Sequence, residues 1–153
     1  MNKKIQVMKT IILSAVATIL FSIVNLSAAN TQKVYSNIEK TEIGCVKEFI
    51  TYDEAISKAI SKSVYHYDAN GNMQKKVSYV WDSKTGWEAV NKYDYVYNNS
   101  GNVDYLTYTE WDNNMSSWSS KIEQFIHVYD NQGGLLVVKH IKIDNNGEFM
   151  AQK

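Results

Sequence analysis

Hydrophobic and polar positions alternate along most of the chain, and short clusters of Asp, Asn, Ser and Gly interrupt the alternation at intervals. Three interruptions repeat one another: Tyr67-Asp68-Ala69-Asn70-Gly71-Asn72, Tyr97-Asn98-Asn99-Ser100-Gly101-Asn102 and Tyr129-Asp130-Asn131-Gln132-Gly133-Gly134, spaced 30 and 32 residues apart. Asp or Asn at the first turn position and Gly at the fourth predict a type I turn leading into a left-handed glycine. Such a turn joins two antiparallel strands, and the glycine forms a one-residue bulge. Asp68, Gly71, Asn98, Gly101, Asp130 and Gly133 are read as structural turn residues on this basis.

A half-period runs through the same region. An aromatic or apolar residue followed by Asp or Asn occurs at Tyr52, Tyr67, Trp81, Tyr97, Trp111, Tyr129 and Ile143, in steps of 15, 14, 16, 14, 18 and 14 residues. Each step holds one long strand and one turn. Self-similarity at a fixed period marks a repeat architecture. It also decides residues 53–62, where Ile56 and Ile60 at helical spacing compete with the repeat, in favour of a hairpin. The predicted fold is all-β: an antiparallel meander of about seven or eight strands, built from β-hairpin repeats of about 30 residues, occupying residues 46–153.

Counting from each turn tyrosine, even offsets collect Tyr65, Val77, Tyr79, Trp81, Tyr93, Tyr95, Tyr105, Thr109, Trp111, Phe125, His127, Leu135, Val137 and Ile141. Period-two alternation predicts that these form one core-facing side, rich in Tyr and Trp. Residues 30–45 show no clear period and are expected to form a mobile lead-in.

The N-terminus changes the domain count. Lys3, Lys4 and Lys9 precede an apolar run over residues 11–24, and Ser27 and Ala29 supply small residues before a cut. This order describes a signal peptide over residues 1–29, with translation starting at Met1 or Met8. The protein is then exported across the inner membrane, to the periplasm or beyond, and meets a membrane only through the uncleaved signal. Removing residues 1–29 leaves 13 Lys against 16 acidic residues, a net charge of 13 − 16 = −3. Every basic residue is Lys, so the bidentate guanidinium contacts that read phosphates and bases are missing, which argues against nucleic acid. Cys45 stands alone and reads as an inert thiol or as a link between two chains.

The Tyr-Asp-x-x-Gly turn of residues 67–71 resembles the Tyr-Asp repeat of large bacterial surface and toxin-carrier proteins, whose repeats build β-sheet shells. The wider pattern adds a signal peptide and a Trp-Asp with a second Trp six or seven residues later, at Trp81/Trp87 and Trp111/Trp118. It resembles a family of short secreted proteins of unknown function from Gram-negative gut bacteria. That resemblance implies export and a repeat β fold, and carries no activity.

Catalytic constellations are missing from the sequence. It holds no nucleophile elbow, no His-Glu-x-x-His and no Cys-His pairing, and offset parity separates His127 from His66 and His140. Asp94 and Asp104 flank one turn and are the remaining carboxylate pair to weigh as acid and base. Residues 68–72 echo a calcium loop without its distal Glu, and turn capping accounts for Asp68 fully. The expectation is a non-enzyme with no metal and no cofactor. Trp87 and Trp118, closing loops rich in Asn and Ser, are the candidate ligand-binding residues, with Asn113 and Asn114 beside them. Aromatic faces with amide handles suit a glycan; Trp81 and Trp111 are assigned to cross-strand packing. The alternative is a structural or interaction protein, assembling with a protein partner through sheet edges or through the apolar strand at Leu135, Leu136, Val137 and Val138.

Overall fold

The computed structural model describes residues 18–22, 31–144, 147, 149 and 150. Every regular element among them is a strand: β1 (Thr18–Ser22), β2 (Gln32–Thr41), β3 (Gly44–Asp53), β4 (Lys58–Asp68), β5 (Met73–Asp82), β6 (Gly86–Tyr97), β7 (Val103–Asp112), β8 (Ser117–Tyr129), β9 (Leu135–Ile143) and β10 (Phe149–Met150). The fold is an all-β antiparallel meander, as the repeat predicts, with eight long strands, β2–β9, the first of which falls in the expected lead-in. The chain divides into two compact units, Met1–Met73 and Gln74–Lys153.

In the first unit the strand order is β1-β2-β3-β4. Residues 30–45, expected as a mobile lead-in, instead hold β2 and the start of β3. β2 pairs with β3 along its whole length, from Gln32 opposite Asp53 to Thr41 opposite Gly44. Its start is tied down further: Glu54 N–H donates to Thr31 O at 2.8 Å, Thr31 Oγ1 donates to Asp53 Oδ1 at 3.1 Å, and Lys33 pairs with Glu54. Only Val34, Tyr35 and Ile38 are apolar in β2, so backbone pairing, not a hydrophobic period, makes this strand. Residues 18–22, the described part of the expected signal peptide, pair with β2 from Thr18 opposite Ile38 to Ser22 opposite Val34. The rest of residues 1–29, including Met8, Ser27 and Ala29, lies outside the described residues.

In the second unit β5 to β10 follow in sequence order. The turns carry the predicted chemistry. Gly101 N–H donates to Asn98 O at 3.0 Å and Asn98 N–H to Asn102 O at 2.9 Å, with Gly101 at φ 80°. The turn of residues 130–134 repeats this pattern at 3.1 and 2.9 Å with Gly133 at φ 83°, as does that of residues 68–72 in the first unit, with Gly71 at φ 87°. The leading Asp or Asn side chain accepts two further backbone bonds: Asp130 Oδ1 takes Gln132 N–H at 2.8 Å and Gly134 N–H at 2.7 Å.

Register overturns the expectation of one even-numbered core face. Val96 lies opposite Tyr105 but Tyr97 opposite Val103, so Asp104 is an extra residue in β7. Val128 lies opposite Val137 but Tyr129 opposite Leu135, so Leu136 is extra in β9. Each bulge advances the side-chain phase by one. The even-offset residues before a turn therefore face one side of the sheet, and most of those after it face the other. One face carries Val77, Tyr79, Trp81, Trp87, Lys92, Thr109, Trp111 and Trp118; the opposite face carries Tyr93, Tyr95, Tyr108, Glu123, Phe125, His127 and His140. Val77 at 6% exposure and Thr109 at 4% are the most buried residues of this unit, both on the tryptophan face. No described side chain is fully buried. The third copy departs furthest from expectation, since Leu135 and Val137, assigned to the core, are 54% and 46% exposed.

Candidate functional site

The loops between β5 and β6 and between β7 and β8 each bring two tryptophans together. Trp81 lies directly opposite Trp87 and Trp111 directly opposite Trp118. Both pairs stand edge to face with centroids 5.1 Å apart, at interplanar angles of 78° and 82°. The loops are held by the same device. Asp82 Oδ1 accepts from Lys84 N–H at 2.8 Å, Thr85 N–H at 3.0 Å and Thr85 Oγ1 at 3.0 Å; Asp112 Oδ1 accepts from Asn114 N–H at 2.9 Å and Met115 N–H at 3.1 Å. The backbone bond from Lys84, then those from Thr85, hold the Asp82 carboxyl below the ordinary carboxylate range. The left-handed residue closing each loop is Gly86 at φ 87° and Ser116 at φ 48°.

The two pairs share one face of the second unit and one end of its strands. Trp87 and Trp118 are each covered in part by their partners, and Trp81, assigned to packing by sequence, is the more open member of its pair at 43% exposure. Asn113 and Asn114 are exposed on the loop that Trp118 closes. Behind the pairs, Lys92 Nζ lies 5.4 Å from the Trp118 ring centroid and 2.8 Å from Asp94 Oδ2. Lys92 lies opposite Thr109 on β7, the residue buried to 4% exposure on this face. Lys75 Nζ adds a second contact to Asp94 at 3.5 Å. Asp94 is thus committed to two lysines and lies opposite Thr107, while Asp104 is the bulge residue of β7. The two carboxylates are not brought together.

The opposite face holds a cluster that offset parity missed. Glu123 accepts from Lys142 Nζ at 2.8 Å and contacts His140 Nε2 at 2.6 Å, and the His140 ring stacks on Phe125 at 4.5 Å with an interplanar angle of 2°. The Lys142 hydrogen bond, with help from His140 and against partial burial, holds the Glu123 carboxyl below its ordinary range. Tyr93 and Tyr108 pack 5.1 Å apart beside it, and Tyr108 donates to Glu110 Oε1 at 3.1 Å. Burial first, then Glu110, raises the Tyr108 phenol above its ordinary value. His127 lies on this face too, its Nδ1 3.2 Å from Phe125 O, so His127 and His140 share a side that sequence parity denied them. His66 is opposite Val46 in the first unit, and Cys45 is a half-buried free thiol on β3.

The sequence profile of a family of unknown function, DUF3836, matches residues 1–129. No curated protein matches the chain. Among solved structures, a Bacteroides fragilis protein of unknown function is 17% identical, with 90% of each chain covered and a TM-score of 0.48. A DUF3836 family protein from Parabacteroides distasonis is 14% identical over 75% of this chain and 93% of its own, with a TM-score of 0.35.

Proposed function

The chain belongs to the DUF3836 family, and from that premise we propose that it is an exported, non-enzymatic binding module that holds a glycan on its paired tryptophans. The observation that carries this reading is the repetition of one device: two edge-to-face pairs with the same 5.1 Å separation, on one face and at one end of the strands. Sheet packing uses aromatic pairs anywhere along a strand, whereas these sit at loop mouths, and the Trp111/Trp118 loop carries the exposed Asn113 and Asn114. Aromatic faces take the apolar side of a sugar ring while amides bond its hydroxyls. Trp81 joins Trp87 and Trp118 as a stacking residue, because its ring is the more open of its pair.

The test is a titration of the exported protein with a panel of polysaccharides and oligosaccharides, read by tryptophan fluorescence. A saturable shift that is lost in Trp81→Ala and in Trp118→Ala, with far-UV circular dichroism unchanged, is the expected result. A flat response across the panel returns all four tryptophans to packing. Intact mass of the exported chain checks the other half of the proposal, since cleavage after Ala29 gives a protein beginning at Asn30.

A second reading, association through β9, is favoured by a separate observation. Leu135, Leu136, Val137 and Val138 are consecutive, point to both faces, and are 54%, 65%, 46% and 42% exposed. A strand apolar on both sides suits a covered position, and nothing described covers this one.

A further inference from the structure

We infer that processed chains join head to tail, with β9 of one copy adding to the edge of β2 in the next. The inference rests on the readings above that residues 1–29 are removed and that β9 is an association surface. Its core is an observation about β2. In the first unit β1 is the outermost strand, and it seats Ile19, Leu20 and Phe21 opposite Asn37, Ser36 and Tyr35 on the outer side of β2. Cleavage after Ala29 takes β1 away. The inner side of β2 stays paired with β3 over ten residues, so the strand remains in place while the N–H and C=O groups that β1 had engaged lose their partners. Unpaired strand edges of this kind template the addition of another strand.

The structure also shows what that edge accepts: an extended, antiparallel strand with an apolar centre, contributed by the chain itself. The described residues hold one other strand of this character with an open side. β9 pairs with β8 on one side over Leu135–Ile143, but on its other side β10 covers only Ile143 and Lys142. At residues 135–138 the outer backbone has no strand beside it among the described residues, and the four exposed aliphatic side chains lie there. One copy thus offers, in its second unit, an apolar strand with an open side, and the next offers, in its first unit, a vacated edge. Joining them pairs the open backbone of β9 and sets β2 side chains beside its aliphatic residues. Two different surfaces meet, so the contact is heterologous, and each copy both donates a strand and accepts one.

The experiment uses protein recovered from the exported fraction of cells producing the full chain. Intact mass establishes the N-terminus, and light scattering after size-exclusion chromatography establishes the mass of the particle. The expected result is a chain beginning at Asn30 whose particle mass rises with concentration above that of a monomer. Leu136→Lys, at a 65% exposed position where the fold tolerates charge, returns it to a monomer. A synthetic peptide spanning residues 16–24, flanked by lysines for solubility, also lowers the mass by competing for β2. Association abolished by Leu136→Lys but unaffected by the peptide overturns β2 as the acceptor while leaving β9 as a surface. Association indifferent to Leu136→Lys, or a monomer at every concentration, overturns both. A chain that keeps residues 18–22 keeps β2 covered and overturns the inference through its premise.

Discussion

Gly44 is the position where one methyl group should cost most. It sits at the start of β3 with φ 154°, and a Cβ built there would lie 2.0 Å from the backbone oxygen of Tyr67 on β4. Gly71, in the same unit, has φ 87° and nothing within 4 Å of its Cβ position. The two glycines separate two causes. At Gly71 alanine pays only for the left-handed backbone, about 1 kcal/mol after the smaller entropy of the unfolded alanine chain is counted. At Gly44 a positive-φ backbone term of similar size applies, and the strands must also part by about 1.4 Å to bring the contact from 2.0 Å out to the 3.4 Å of ordinary contact. Parting them there loosens the pairing of Gly44 with Asp68 and Cys45 with Tyr67, about two hydrogen bonds at about 1 kcal/mol each. The expected losses are about 1 kcal/mol for Gly71→Ala and about 3 kcal/mol for Gly44→Ala. Urea denaturation followed by far-UV circular dichroism measures both. All four tryptophans lie in Gln74–Lys153, so fluorescence in the same samples reports the second unit separately. Equal losses for the two variants would refute the argument from the Tyr67 oxygen.

Three further outcomes follow from the second unit. Tyr129 donates its hydroxyl to Val103 O at 2.8 Å across 26 residues of chain, so Tyr129→Phe should destabilise by about 1 kcal/mol in urea unfolding read by fluorescence. Double-mutant cycles to alanine at Trp81/Trp87 and at Trp111/Trp118 should each give a coupling of about 0.5–1.5 kcal/mol, and the two values should agree because the geometries do. Glu123 has a folded-state pKa lowered from its ordinary 4.5, chiefly by Lys142, so what it contributes is present above that value and is lost as pH falls through the lowered one. Glu123→Gln should therefore cost about 0.5 kcal/mol at neutral pH for so exposed a pair, with the deficit shrinking on acidification; a deficit that grows in acid contradicts the assignment.

The parts of this fold legible in the sequence are those decided by neighbours along the chain. Asp130, with Gly133 three places on, specifies its turn through bonds to residues 132 and 134, and nothing distant is needed. The tryptophan pairs were legible for the same reason, since a loop flanked by Trp81 and Trp87 sets them opposite each other. The assignment of faces failed because it depends on what lies across the sheet. Asp104 and Leu136 have nothing in common as residue types, yet each is seven places after its turn tyrosine and each is the extra residue of its strand. Without them counted, Glu123 and His140 fall on opposite sides; with them counted, Glu123, His140 and Lys142 meet. β2 was missed because its polar side chains give no period, and its partner strand supplies the order. A signal for the cluster was present in the spacing around the turn of residues 130–134, had the bulge been included.

The bulges also govern how the chain tolerates changes in length. In an unbroken strand, losing one residue moves every side chain beyond it to the wrong side. Asp104 and Leu136 are spare letters in a two-letter frame: deleting one would straighten its strand and exchange the sides of all that follows up to the next loop. In β7 that would carry Thr109 and Trp111 away from Lys92 and Trp118. Compensation requires no restored chemistry, only one inserted residue of almost any kind within the next few positions. Length variation among relatives should therefore come in matched pairs within a strand, or fall in the loops, where the frame is not read.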